Sequence, residues 1–238
     1  LKKENSNLEN RSFHSFDFVG NNNQILKIKK LINKLGTTDS RILISGPTGS
    51  GKELLARKIH KNSQRNKKPF IVINGALLKS DSYDLELFGS ENPDGTANYG
   101  FLEKAKGGTL LIDEVSEIPL DTQAKILRIL IDQKFKRYNG KDDIYVNVRI
   151  ISSTSKDLKN EVLMGNFRED LFHRLNVVPI ELPSLNSRSD DIPLLIDYFQ
   201  KKLSEINGIP KIEINVDDDL LYSYQWPGNV RELRNLVE

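Results

Sequence analysis

The sequence predicts an α/β fold: a mostly parallel five-stranded sheet with helices on both faces, followed by a small all-helical subdomain. Three observations carry this. Short apolar runs such as RILIS, FIVIN and TLLID recur between stretches of helical period. Those runs are continuously apolar instead of alternating, which is the pattern of parallel strands buried on both sides. After Pro183 the apolar spacing turns wholly helical.

Along the chain, Leu1–Ser15 is polar and Asn-rich and reads as a linker or tail. Ile25, Ile28, Leu31, Ile32 and Leu35 keep helical spacing up to Gly36. Arg41–Ser45 reads as the first strand, followed by a glycine-rich turn and a helix to about Ser63. Phe70–Asn74 and Thr109–Asp113 are the next strands, and a helix follows near Asp121–Lys134. Phe135–Tyr138 and Ile144–Asn147 flank Asn139-Gly140 as a hairpin. Val148–Ser153 and Val177–Leu182 complete the five strands. Ile192, Leu195, Ile196 and Phe199 share one helix face, and two more helices follow, the last opening at Pro227-Gly228. The expected division is a tail over 1–15, an α/β part over 16–183 and a helical part over 184–238, truncated at its end. The chain opens on Leu1 and stops within an apparent helix, so it reads as a piece of a longer protein.

Composition excludes several classes. The 238 residues carry 35 Lys+Arg against 33 Asp+Glu, a net charge of +2, which argues against a polybasic arm or an acidic tail. Cysteine is absent, so disulfides and thiolate metal sites are excluded. His14, His60 and His173 are too scattered for a zinc site. No apolar run approaches the ~18 residues of a membrane span, and no signal peptide is visible. The reading is cytoplasmic, without a membrane partner.

Gly46, Pro47, Thr48, Gly49, Ser50, Gly51 and Lys52 match G-x-x-x-x-G-K between a strand and a helix. Such a loop turns backbone N–H groups inward onto phosphates, and Lys52 reaches the β/γ-phosphates. Glu53 stands where the motif asks for a magnesium-binding Ser or Thr, so another group or water must hold the metal. TLLID ends in Asp113 and Glu114, a placement suited to one carboxylate for Mg²⁺ and one to polarise water. Alone, two acids at a strand end are as readily a solvated pair. Arg168 and Arg174 sit six apart and suit a charge-stabilising arginine offered to a neighbouring subunit. On the residues alone, surface salt bridging with Glu169 and Asp170 is the stronger reading.

Taken together, GPTGSGKELLAR (46–57), ELFG (86–89), GGTLLIDEVSE (107–117), FREDLFHRLNV (167–177) and WPGNVRELRN (226–235) resemble the central AAA+ ATPase domain of bacterial enhancer-binding proteins. These are the NtrC-type, sigma-54-dependent response regulators, and the resemblance covers roughly Phe16–Glu238. Glu53 is usual in that family. The resemblance implies that Val19 and Gly20 lie over the adenine and that Gly46–Leu54, including Leu54 itself, hold the phosphates. It implies that Asn74 is a switch hydrogen-bonded to Glu114, that Thr154 is sensor I, and that Arg231 is the lid's sensor II. Arg168 and Arg174 match the trans-acting arginine fingers. The family reads Thr-Asn at sensor I, whereas here Ser155 follows Thr154. His173 replaces an aromatic residue and reads as packing.

The family's GAFTGA loop is missing. Between Gly89 and Gly100 the chain reads SENPDGTANY, roughly four residues fewer, with a short Pro-Asp-Gly turn. Such loss resembles the NtrX branch. The implied function is an ATP- and Mg²⁺-dependent ATPase module, active in the oligomer, of a two-component response-regulator transcription factor. The implied partners are its own copies in a hexameric or heptameric ring, or a dimer when inactive, and RNA polymerase, with sigma-54 contact in doubt. A sensor kinase and DNA would be met through receiver and helix-turn-helix domains absent from this chain. Two rivals stay open: an ATP-binding oligomerisation module with vestigial hydrolysis, and a remodelling ATPase of another AAA+ class.

Overall fold

The computed structural model describes residues 16–77, 83–208 and 218–238; the expected tail over Leu1–Ser15 lies outside them. By contacts, the chain groups into two compact units. One comprises residues up to Lys30, Pro47–Lys58 and Leu182–Glu238; the other comprises Leu31–Gly46 and Ile59–Glu181.

The second unit holds the sheet. β1 (Ile42–Ser45), β2 (Phe70–Asn74), β5 (Thr109–Asp113), β8 (Arg149–Thr154) and β9 (Val178–Glu181) lie in the order β2-β5-β8-β1-β9, every pairing parallel. All six residues of β8 are buried. Since neighbouring side chains point to opposite faces, both faces of the sheet's centre are covered. The register aligns Asn74 with Asp113 and Ser45 with Thr154. The polar strand ends therefore collect at one edge of the sheet, while Thr109 and Arg149 face each other at the opposite edge.

Around it, α3 (Tyr83–Phe88) leads into a short antiparallel hairpin, β3 (Gly89–Glu91) and β4 (Ala97–Tyr99), and α4 (Phe101–Lys104) follows. α5 (Leu120–Asp132) stops where Gln133 turns left-handed, two residues earlier than expected, and Lys134 already belongs to β6 (Lys134–Phe135). β6 pairs only briefly with β7 (Ile144–Tyr145), so the expected hairpin is shorter. The reason is competition: Tyr138 exchanges backbone hydrogen bonds with Gly89 and Glu91 of the neighbouring hairpin instead. α6 (Leu158–Leu163) and α7 (Glu169–Leu175) precede β9. Leu110, Ile112, Leu87, Ile126, Leu171 and Leu175 sit in the core of this unit.

In the other unit, a 3₁₀ turn (Asn186–Asp191) leads into α8 (Ile192–Asn207), which Gly208 ends in a left-handed cap. α9 (Asp218–Ser223) and α10 (Asn229–Val237) follow. Phe16, Leu195, Phe199, Trp226 and Leu233 form its core, and Leu54 and Val19 pack against it. Two helices run from one unit into the other: α1 (Asn23–Gly36), whose Ile25, Ile28, Ile32 and Leu35 are buried, and α2 (Lys52–Lys61). Among the described residues no helix is long and apolar enough to cross a membrane.

Candidate nucleotide site

The phosphate-type loop is assembled by the C-terminal helices of its own unit. Gly49 has φ +76°, and a Cβ there would stand 2.0 Å from the Gly228 carbonyl oxygen, so only glycine fits. Arg231 N–H donates to Gly49 O at 3.2 Å. Asn229, itself left-handed, donates from Nδ2 to Thr48 O at 2.9 Å and accepts the Leu185 N–H on Oδ1 at 2.8 Å. Ser50 O accepts from Arg188 Nη2, while Ser50 Oγ is buried with no partner among the described residues. Lys52 opens α2, 6% exposed, with Nζ 3.4 Å from Pro47 O. The N–H groups at this helix start and the buried ammonium form an anion cradle.

Glu53 is held elsewhere: Arg57 one turn on binds its Oε1 at 2.7–2.8 Å. Arg57 thus takes up the carboxylate that replaces the motif's hydroxyl.

Gly20, beside the half-buried Val19, is fixed by the same unit. A Cβ at Gly20 would meet Asp191 Oδ2 at 2.7 Å. The buried Asp191 accepts the N–H groups of Asn21 and Asn22 on Oδ1, at 2.6 and 3.0 Å. Arg188 lies 4.0 Å from its other oxygen, and burial pushes this guanidinium's pKa down while Asp191 draws it back up. Arg188, Asp191 and Asn229 went unnoticed in the sequence. The one available signal was an Asn directly after Pro-Gly, a residue type that tolerates the left-handed backbone found there.

The acidic end of the sheet lies in the other unit. Asp113 closes β5 and accepts hydrogen bonds from Asn74 Nδ2 at 3.2 Å and from Ser153 Oγ. Glu114 follows at φ 52°, ψ 56°, a left-handed conformation unusual for glutamate and a form of local strain. Its Oε2 accepts from both the N–H and the Oγ of Ser155, each at 2.8 Å. Asn74 was expected to bond Glu114; in the structure its amide donates to Asp113, its register partner across the strands. Thr154 is 1% exposed and its hydroxyl meets Ser116 Oγ and Lys156 O, so it braces the loop.

The two arginines differ. Arg168 precedes α7, exposed, and forks onto Asp170 at 2.8 and 3.1 Å, which raises its pKa and lowers that of Asp170. Arg174 donates from Nη2 to Leu130 O at 3.3 Å, and its Nε is buried without an acceptor. His173 was expected to pack; its side chain is 70% exposed, touching Phe172 and lying 3.8 Å from Glu169. The last turn of α7 carries it outward while Leu171 and Leu175 take the core positions.

A "Sigma-54 interaction domain" matches residues 18–181, and an "AAA+ ATPase lid domain" matches residues 186–238. The chain belongs to the sigma-54 interaction domain family. Within that family, it is 46% identical over 222 residues to the nitrogen assimilation regulatory protein NtrX of Azorhizobium caulinodans, covering 92% of this chain and 49% of that one. It is 44% identical over 243 residues to a putative NtrX-like response regulator of Rickettsia felis, covering 100% and 50%. The crystal structure of NtrX from Brucella abortus in complex with ATP superposes at a TM-score of 0.88 with 42% identity, covering 99% of this chain and 54% of that one. The same protein in complex with ADP gives 0.90 and 44%, covering 100% and 54%. The chain thus spans about half the length of these relatives. Its parallel five-stranded sheet falls within the residues matched by the sigma-54 interaction domain, and its C-terminal helices within those matched by the AAA+ lid domain.

Proposed function

We propose that this sigma-54 interaction domain binds and hydrolyses ATP as the AAA+ module of an NtrX-type response regulator. One observation carries the reading: Glu114 is held left-handed at the end of a central strand, its carboxylate fixed by Ser155, directly after Asp113. Strain of this kind persists where the surroundings enforce it, and it singles out Glu114 for chemistry. The relatives' complexes with ATP and ADP support nucleotide as the ligand.

In this reading the loop N–H groups and Lys52 hold the phosphates, and Arg231 is the lid's contribution. Asp113 fits Mg²⁺ as the sole carboxylate needed, because this ion keeps water and phosphate oxygens as its other ligands. The described residues offer no cluster of three or more acidic or His side chains. When bound, the ion neutralises charge on the phosphate oxygens. Glu114 accepts a proton from the attacking water, and Asn74 and Ser153 orient Asp113. Arg168 and Arg174 serve a neighbouring copy's γ-phosphate in a ring.

The test is Glu114→Gln. ATP affinity should stay within about twofold while kcat falls by about 10²-fold or more, as loss of a general base requires. Unaltered turnover would make Glu114 structural. One rival keeps support from the geometry: the inward-tied Arg174 suits an ATP-binding assembly module without turnover, and a wild-type protein that assembles on ATP yet does not hydrolyse it would establish that module instead.

In this reading the module does not act through sigma-54. The β3–β4 hairpin is tipped by a tight turn, with Asn92 N–H donating to Thr96 O at 2.9 Å and Gly95 N–H to Asn92 O at 2.9 Å. It carries no GAFTGA. Transcriptional effects are assigned to DNA contacts made outside this chain.

A further inference from the structure

The end of the sheet away from Asp113 and Thr154 carries a partly open cavity of about 160 Å³. Arg41, Arg65 and Arg149 line it together with Asp39, above an apolar floor that includes Leu102, Ile129 and Ile150. All these residues lie in the sheet-bearing unit. Three guanidinium groups thus meet one carboxylate, and that carboxylate is already taken. Arg65 forks onto Asp39 at 2.8 and 3.0 Å and spends its remaining donors on Gly108 O, Asn147 O and Asn147 Oδ1.

Arg41 and Arg149 are the unspent charges. Among the described residues the Arg41 side chain makes one bond, from Nη1 to Arg174 O at 3.2 Å. Arg149 is 2% exposed and its side chain donates only from Nη2, to Leu35 O at 2.9 Å; its Nε and Nη1 have no acceptor among the described residues. A buried guanidinium with idle donors is costly, and burial accordingly pushes the pKa values of Arg41 and Arg149 down. Strand pairing does not require arginine at either position: Arg149 pairs with Thr109 through the backbone, and the Arg41 carbonyl accepts from Val178 N–H. What would relieve both is one anion with several acceptor oxygens and about two negative charges.

We propose that this cavity is a binding site for a phosphate-class dianion, either inorganic phosphate or the phosphate group of a small monoester. A tetrahedral oxyanion offers acceptors to Arg41 and Arg149 at once and balances the two charges that Asp39 leaves over, whereas a single carboxylate supplies only one charge. The cavity has room for such a group with water around it. Arg41 also holds the main chain of Arg174, so an anion drawn to Arg41 acts on the end of α7.

The test uses Lys52→Ala protein, so that phosphate captured by the nucleotide loop does not contribute. Inorganic phosphate and glycerol 3-phosphate are titrated against thermal stability, beside sodium chloride at matched ionic strength and malonate as a dicarboxylate. The expected result is a saturable rise in Tm with phosphate beyond that with chloride, as a ligand of the folded state gives. Arg41→Gln should weaken the apparent affinity about tenfold or more. Arg149→Lys, which keeps the charge and loses the fork, should do likewise; if that buried variant fails to fold, Arg41→Gln decides alone. A response to glycerol 3-phosphate alone identifies a monoester as the ligand, and a response to both identifies the phosphate group. A phosphate shift equal to that of chloride, an undiminished affinity in Arg41→Gln, or a malonate response matching phosphate would each overturn the proposal.

Discussion

Ser155 meets the Glu114 carboxylate twice: its hydroxyl doubles its own backbone N–H and grips the same Glu114 oxygen. A carboxylate accepting two hydrogen bonds on one oxygen is less free to take a proton from water. Ser155→Ala keeps the N–H contact and removes the hydroxyl. Basal ATP turnover should rise about fivefold, the equivalent of one net hydrogen bond of ~1 kcal/mol, with KM unchanged. Steady-state kinetics on freshly purified protein measure this, and a fall in kcat would mean that Ser155 holds Glu114 in its working position. Asn74 is the natural comparison. It bonds Asp113, so Asn74 variants should act on the magnesium dependence of turnover before they act on kcat at saturating magnesium.

Elements succeed or fail in this chain by their turns. Gly49 ties the phosphate loop to Gly228, just ahead of α10 in the same unit, through a contact that admits no Cβ, and its φ disfavours one as well. Gly49→Ala should cost about 1–3 kcal/mol of stability and weaken ATP binding, both read by thermal melts with and without nucleotide. A melt indistinguishable from wild type would show that the loop can leave Gly228. The strands themselves were legible because their apolar runs are continuous and bounded by glycine or polar residues, and the loop and acidic motifs because their chemistry is local. Asn229 and Asp191 were not legible. Asn229 meets Thr48 across 181 residues, and no spacing rule reaches that far. Asn74 was located but given the wrong partner, because strand register, not motif order, decides which carboxylate its amide faces. The β3–β4 hairpin makes the other prediction at this scale. Its three-residue strands extend only about 10 Å, and Tyr99, exposed at the base, is overlain by Arg137. With no aromatic anchor at the tip, a pull-down with a transition-state analogue of ATP should capture no sigma-54, beside a GAFTGA-bearing relative as control. Nucleotide-dependent capture equal to the control would return the chain to the ordinary activator role.

For the molecule as a whole, the arginines decide whether one copy is enough. The Arg168 guanidinium is exposed before α7 and, among the described residues, is engaged by Asp170, two residues away. An exposed pair of this kind is worth little in water, so a phosphate of higher charge can displace Asp170 at small cost. Arg174 is anchored instead, with its backbone oxygen bound by Arg41 and its Nη2 on Leu130 O. One exposed guanidinium and one anchored guanidinium, at the two ends of a helix that the chain's own loop motif does not need, suit a heterologous ring interface. Turnover per subunit should then rise with protein concentration until assembly saturates. Arg168→Ala should keep ATP affinity and lose about a thousandfold in kcat, the scale of a missing arginine finger. Mixing it with Glu114→Gln is the discriminating step. Each variant alone lacks one part at every interface, but in an equal mixture about a quarter of the head-to-tail interfaces pair an intact Glu114 with an intact Arg168. Activity should reappear there, above the sum of the two variants alone. Turnover strictly proportional to concentration, with no recovery in mixtures shown to co-assemble by light scattering, would place the whole site within one copy and make both arginines surface charges.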